Sequence, residues 1–418
     1  MSKLLIIEDS QLIRKIINHL ATSQLNCEFD FACDLAEAKG LIDNPGNDYF
    51  MALADLHLPD APNGEVVKLT LDAGISTIVL TASLNEELRD KMLKMGVLDY
   101  IFKENRDSYV TAIKFVNTLL LNRDIKVIVA DDSPSLRAYV SAQMSSLLYQ
   151  VIEVEHGLAA LQALKDNPEV GLLVTDYNMP EMNGIELIRS IRQERSREDF
   201  PIIGLSSLKD PTLSARFIKH GANDFLPTPF IQEEFQWRIL KAMEQIMLIA
   251  EIRDAANRDY LTKLYNRRYF FHNGEDSFNQ AVKDNSRLTV ALLDIDYFKK
   301  INDNYGHDSG DAVLKLLAEK LRYWFKDMTV ARYGGEEFII LIPGLSQEQT
   351  DKILNTFRVD IAESEFDTSK EVINLSVSIG VATRVADSKS LEAMINEADI
   401  ALYQAKEAGR NQVVWQKN

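Results

Sequence analysis

Three sets of acidic residues are spaced for phosphate chemistry. In the first, Glu8 and Asp9 end a short apolar run and Asp55 ends another, while Thr81 and Lys103 end two more. Brought together, the three carboxylates would hold a hard divalent cation, Mg²⁺ or Mn²⁺, with Asp55 facing a phosphoryl group as a nucleophile. Thr81 would then hydrogen-bond, and Lys103 charge-pair, the added phosphate oxygens. The second set repeats this arrangement with Asp131, Asp132, Asp176 and Ser206, but carries Thr228 where the lysine should stand. Without that ammonium a phosphoryl group on Asp176 lacks its charge partner, so the second set is expected to respond weakly. In the third set Asp294 ends an apolar run facing the turn Gly334-Gly335-Glu336-Glu337, which joins TVARY to FIILI in a hairpin. Acids on such a turn, opposite an acid at a neighbouring strand end, make a metal site suited to nucleoside triphosphates. No GxxxxGK(S/T) segment exists, so the nucleotide is not held by a Walker loop.

Each acid needs a strand to deliver it, and the sequence supplies the strands twice. KLLIIEDS (3–10) recurs as KVIVADDS (126–133), ALADLHLPDAPNG (52–64) as LVTDYNMPEMNG (173–184), TIVLTAS (77–83) as PIIGLSS (201–207), and GVLDYIFKE (96–104) as GANDFLPTP (221–229). Helical patterns such as Leu12, Ile13, Ile16, Ile17 and Leu20 lie between them. Alternating strand and helix predicts doubly wound parallel sheets at 1–122 and 124–245, with the working residues at the carboxyl ends of the strands. A helix over 231–256 continues the second copy. Its apolar residues Phe235, Ile239, Ala242, Ile246 and Ile249 have the heptad spacing of a helix that pairs with another, although packing on its own domain gives a similar stripe. From 257 to 418 the repeat does not return and a further domain is expected.

The 418 residues suit about three domains, and 46% hydrophobic with 26% charged residues is ordinary globular composition. With 46 Lys+Arg against 63 Asp+Glu the net charge is −17, which repels duplex DNA and anionic membrane surfaces, so neither is expected as a partner. No apolar run has the length of a membrane span. The start, MSKLLIIEDS, meets Glu8 and Asp9 before a signal-peptide core could form, so a cytoplasmic protein is expected. Cys27 and Cys33 lack metal-motif partners and are expected to be small core residues.

Residues 3 to about 120 resemble the receiver domains of response regulators, and the second copy resembles a degenerate one. The resemblance implies phosphorylation at Asp55 with a sensor histidine kinase or phosphotransfer protein as donor, and leaves the second copy either a receiver-like adaptor or a domain still phosphorylatable at Asp176. It makes Thr81, Tyr100 and Lys103 the switch residues of the first copy and Ser206 that of the second. DYLTKLYNRR (259–268), LLDIDYFKKINDNYGHDSGD (292–311), RYGGEEF (332–338) and YQAKEAGRN (403–411) resemble the GGDEF family, the diguanylate cyclases, in its GGEEF variant. The implied fold class is α/β: two flavodoxin-like receivers followed by an α+β, ferredoxin-like palm domain.

This second resemblance makes Asp294 and Glu336 the catalytic and metal-binding carboxylates, with the carbonyl of Ile295 as a further ligand and Glu336 as general base. Asn302 and Asp311 take guanine-reading positions, His307 joins the substrate site, and Lys299, Lys406, Arg410 and the amides near Tyr297 and Phe298 take phosphate. Lys406 and Arg410, four apart, are expected on one face of one helix. Two GTP, one on each subunit of a two-fold homodimer, would yield cyclic di-GMP and two pyrophosphates. The alternative is a catalytically weak scaffold or effector that binds GTP or cyclic di-GMP. Where many family members carry an inhibitory Arg-x-x-Asp, this chain has Phe325, Lys326, Asp327 and Met328, so product inhibition through that site is not expected.

Overall fold

A computed structural model describes residues 3–83, 85–207, 212–368, 371–385 and 389–416. The chain forms two compact units, Met1–Met247 and Leu248–Asn418.

The first unit holds two five-stranded, wholly parallel sheets of the same topology. In the first sheet the strands Lys3–Ile7, Phe29–Ala32, Tyr49–Asp55, Ser76–Thr81 and Asp99–Phe102 lie in spatial order 2-1-3-4-5. The second sheet repeats that order with Lys126–Ala130, Gln150–Val154, Leu172–Asp176, Ile202–Ser206 and Asp224–Pro227. Strands such as Leu172–Asp176 are buried along their whole length, as crossover helices on both faces of a parallel sheet require. Local chemistry starts these helices where the sheet needs them. Ser10 accepts a hydrogen bond from the Ile13 amide, and Asn183 closes a capping box with Glu186. Gly184 is required by contact, because a Cβ there would lie 2.3 Å from the carbonyl oxygen of Asp176.

The two sheets share one apolar cluster, in which Ile113, Val116 and Leu119 of the first join Val140, Met144 and Leu147 of the second. Asn122 seals the junction by donating its amide to the carbonyl of Leu147 at 3.0 Å. The helix that continues the second sheet runs Gln232–Asn257. Its Phe235 and Ile239 are fully buried in the same cluster, so the front of the apolar stripe packs on its own domain. The cysteines depart from expectation in part. Cys27 packs against this cluster, but the half-buried Cys33 sits at a helix start, its amide donating to Glu37.

The second unit is built on a six-stranded mixed sheet. In space the strands run Tyr265–Asn266, Thr329–Gly334, Glu337–Pro343, Leu288–Ile295, Val377–Thr383, Val413–Trp415. The three central pairings are antiparallel and the two edge pairings parallel. All eight residues of Leu288–Ile295 are buried, and their alternation feeds two cores. Ala291, Leu293 and Ile295 face the helices His307–Trp324 and Gln347–Glu363, whereas Leu288, Val290 and Leu292 face Arg267–Lys283 and Leu391–Glu407. A strand held on both faces is a rigid mount for Asp294 at its end. No helix among the described residues is long and apolar enough to cross a membrane.

Candidate active site and phosphoacceptor pockets

Asp294, 5% exposed, stands directly opposite Glu337 across the antiparallel pair. The hairpin between Thr329–Gly334 and Glu337–Pro343 closes over Gly335 and Glu336, with Gly334 already paired to Glu337. Gly335 has φ +50°, a left-handed conformation that glycine adopts without strain. Gly334 and Glu337 thus flank a two-residue loop, and the four residues Gly334 to Glu337 form the turn as expected. Lys406 reaches in from the helix Leu391–Glu407 and places its Nζ 2.7 Å from Asp294 Oδ2.

Burial pushes the Asp294 carboxyl up to about 6; the Lys406 ammonium opposes this, and the negative charges of Glu336 and Glu337 add to it. Glu337 is raised as well, chiefly by burial, with Asp399 and Glu336 adding and Lys406 opposing. Three acids around one ammonium leave excess negative charge on hard oxygen donors. Asp294, Glu336 and Glu337 thus gather hard oxygen donors of the kind a divalent cation takes.

Two residues here escaped the sequence reading as site members. Glu337 appeared only as part of a turn, and the strand register is what puts it beside Asp294. The buried Asp296 accepts hydrogen bonds from Ser376 Oγ and Ser378 Oγ, each at 2.6 Å, and from the Asn411 amide at 3.0 Å. It pins the chain just before Tyr297, and its signal in the sequence was the second acid of LLDID.

The short helix Phe298–Tyr305 packs on the helix His307–Trp324. A Cβ on Gly310 would fall 2.0 Å from Asn302 Oδ1, so the missing side chain lets the Asn302 amide lie against the next helix, one residue from the exposed Asp311. His307, also exposed, opens that helix. Tyr297 caps the short helix with φ +57°, the backbone shape that turns successive amides toward an anion, while Phe298 is buried beneath it and Lys299 is exposed. The Tyr297 ring has Lys300 Nζ 4.3 Å and the Arg410 guanidinium 4.4 Å from its centroid. Arg410 also donates to the Tyr297 hydroxyl at 3.3 Å.

The expectation that Lys406 and Arg410 share a helical face is corrected. The helix ends at Glu407, Gly409 turns left-handed at φ +115°, and Arg410 follows with φ +65°. Leaving the helix is what carries Arg410 to Tyr297. At the inhibitory position Phe325 is a core residue, 5.2 Å from the Phe357 ring.

In the first receiver Asp55 and Thr81 are the last residues of their strands, and Glu8 and Lys103 follow theirs. Lys103 Nζ sits 2.7 Å from both Glu8 Oε2 and Asp55 Oδ2. Burial would depress the Lys103 ammonium, but hydrogen bonds to Asp55 and Glu8 outweigh it and raise its pKa. Burial raises Glu8 despite the lysine. Glu8, Asp9 and Asp55 offer oxygens all within 4.8 Å of one another, a donor set that fits Mg²⁺. Thr81 is fully buried and accepts from the Ser83 amide at 3.1 Å; the Tyr100 hydroxyl donates to the Ser83 carbonyl at 3.3 Å.

The second pocket has the same backbone and different electrostatics. Thr228 N donates to the Ser206 carbonyl at 2.9 Å, as Lys103 N does to Thr81 at 2.7 Å, so the two occupy equivalent positions. The Thr228 hydroxyl and Asp131 Oδ2 are buried without a hydrogen-bond partner. Burial pushes Asp131 up to about 6, the Ser133 amide opposing and Asp176 and Asp132 adding, and burial raises Asp176 likewise. Ser206 is buried at the end of its strand. Asp131 and Asp176 are buried at the ends of neighbouring strands, with Asp132 exposed beside them. Thr228 brings them no ammonium, so Asp132 and Asp176 act on Asp131 without a lysine to offset their charge. Arg137 does not substitute for it, since its guanidinium bonds the Asp131 main-chain carbonyl at 2.6 Å and pairs with Glu153 and Glu155.

The family model described as "Diguanylate cyclase, GGDEF domain" matches residues 256–412, and "Response regulator receiver domain" matches 127–240. Response regulator PleD of Caulobacter vibrioides is 28% identical over 299 residues, covering 69% of this chain and 65% of its own length. This chain therefore spans just under two thirds of that relative. Diguanylate cyclase DgcP of Pseudomonas aeruginosa is 39% identical over 162 residues, 38% of this chain and 24% of its own. A crystal structure of a two-component system response regulator/GGDEF domain protein is 41% identical with a TM-score of 0.53, covering 59% of this chain and all of the other.

Proposed function

The chain belongs to the response regulators that join receiver folds to a GGDEF domain, and from that premise we propose that it is a diguanylate cyclase converting two GTP to cyclic di-GMP and two pyrophosphates. The observation that carries this reading is the meeting of Asp294, the Gly335–Glu336 turn, Glu337 and Lys406 at one strand end. A Mg²⁺ held by Asp294, Glu336 and the Ile295 carbonyl would supply countercharge to the phosphates.

Asn302 and Asp311, on adjoining helices, orient guanine: an amide meets its acceptor side, and a carboxylate accepts from N1–H and the exocyclic amine, donors that adenine lacks. Lys299, Arg410 and the amides after Tyr297 hold the terminal phosphates, and His307 borders the base. Glu336 takes the proton from the 3′-hydroxyl. That oxygen then bonds the α-phosphorus of the facing GTP as the bond to pyrophosphate breaks, and the second subunit repeats the step. One nucleotide per chain makes a two-fold homodimer part of the mechanism.

Control enters at Asp55, phosphorylated by a histidine kinase or phosphotransfer protein in the cytoplasm. Lys103 then exchanges the Asp55 carboxylate for phosphoryl oxygens, and Thr81 and Tyr100 follow. The test is incubation of the purified full chain with GTP and Mg²⁺, with and without acetyl phosphate, and chromatography of the products. Cyclic di-GMP and pyrophosphate that rise with the phosphodonor are expected, and both are lost in Asp294→Asn and Glu336→Gln. Intact GTP under every condition would overturn the reading.

A further inference from the structure

The turn that bears Glu336 is held by a side chain outside the substrate-binding set. Arg332, in the strand leading into the turn, wraps back to donate Nε at 3.0 Å and Nη2 at 2.8 Å to the carbonyl oxygen of Gly335. Its remaining nitrogen, Nη1, donates at 3.1 Å to Asp259 Oδ1. That carboxylate oxygen is itself fixed by the Thr262 amide at 2.9 Å and the Thr262 hydroxyl at 2.8 Å. The side chains of Arg332 and Asp259 are largely buried, at 13% and 15% exposure.

A two-residue turn has few internal constraints, and Gly335, lacking a Cβ, fixes its own conformation least of all. Two convergent donors on the carbonyl between Gly335 and Glu336 fix that peptide plane, and with it the direction in which Glu336 leaves the backbone. We infer that Arg332, braced by Asp259, is a positioning residue that sets the orientation of Glu336 for catalysis. The inference rests on the cyclase reading and adds residues to it. It also gives the segment after the helix Gln232–Asn257 a mechanical line to the turn. The same segment is tied back to the helix end, where Asn266 and Arg268 donate to the Ala256 carbonyl at 2.7 and 2.6 Å.

The geometry separates orientation from binding. Neither Arg332 nor Asp259 belongs to the substrate-binding residues, so their loss should reach kcat and spare KM. A misplacement of about 1 Å can cost about a hundredfold in rate. The experiment measures kcat, KM for GTP and the thermal midpoint of the full chain for Arg332→Ala, Arg332→Lys and Asp259→Asn. Arg332→Ala is expected to lower kcat by about ten- to a hundredfold with KM within about twofold. Arg332→Lys should recover only part of that rate, because one ammonium cannot reproduce the fork. Asp259→Asn keeps an acceptor for Thr262 while loosening Arg332, and should lower kcat in the same sense with an unchanged midpoint.

Unchanged kcat in Arg332→Ala overturns the inference, as does a loss of rate that only follows a fallen midpoint in all three variants. If Arg332→Ala does not fold, Asp259→Asn decides alone. A parent chain that leaves GTP intact fails the cyclase reading; an active parent with indifferent variants fails this inference only.

Discussion

The two receivers share one strand order, alternate strand and helix alike and carry three acids each at matching positions, yet their pockets sit in different electrostatic states. In the first, one ammonium 2.7 Å from two carboxylates offsets part of the buried charge, and the triad is closed. In the second, Thr228 occupies the equivalent backbone position. Asp131 is pushed up to about 6, and two buried polar atoms have no partner. A receiver fold thus survives loss of its lysine, while the ion-paired pocket does not. In the second unit Lys406 likewise lies 2.7 Å from a buried carboxylate, Asp294.

That contrast is open to direct attack. The largest effect is expected from Lys103→Ala, which strands Glu8 and Asp55 in a site the lysine shields; breaking a buried pair in this way costs about 3–5 kcal/mol. Thr228→Ala removes a hydroxyl that bonds nothing and should cost under about 1 kcal/mol. Urea denaturation of both variants measures the difference, and equal shifts would erase the distinction between the pockets. Next, Asp55→Asn should abolish stimulation of cyclic di-GMP synthesis by acetyl phosphate, a loss of about tenfold or more in rate. Asp176→Asn should leave the stimulation intact, and full stimulation of the Asp55 variant would exchange the roles of the two domains.

A smaller gain is expected from Thr228→Lys. An ammonium beside Asp131 and Asp176 supplies the missing countercharge and should stabilise the first unit by about 1 kcal/mol, read as a raised urea midpoint. A lowered midpoint would show that the second pocket has closed to a side chain of that length. The smallest effect is none. With Phe325 in the core and Met328 in place of an acid, cyclic di-GMP added at micromolar concentration should leave initial rates unchanged, so that control stays with the first receiver. Strong non-competitive inhibition would place a competing control outside both receivers.

Much of this protein was legible in the chain. Repeated strand ends carrying Glu8, Asp9, Asp55, Asp131, Asp132 and Asp176 determined two doubly wound sheets, because a residue at the carboxyl end of a parallel strand is placed by topology alone. The GGEEF turn and Asp294 were likewise fixed by local pattern. Tertiary structure decided what depends on register and on chain ends. It set Glu337 opposite Asp294, which pairing defines and no spacing along one strand reveals. It took Arg410 off its helix to reach Tyr297, because Gly409 breaks the periodicity on which a four-residue spacing argument stands. It folded Arg332 back onto Gly335 and joined it to Asp259, the latter a contact across 73 positions of chain. Sequence specifies which side chains a strand or helix presents. Which distant groups they meet follows only when the whole core has packed and fixed the distances between elements.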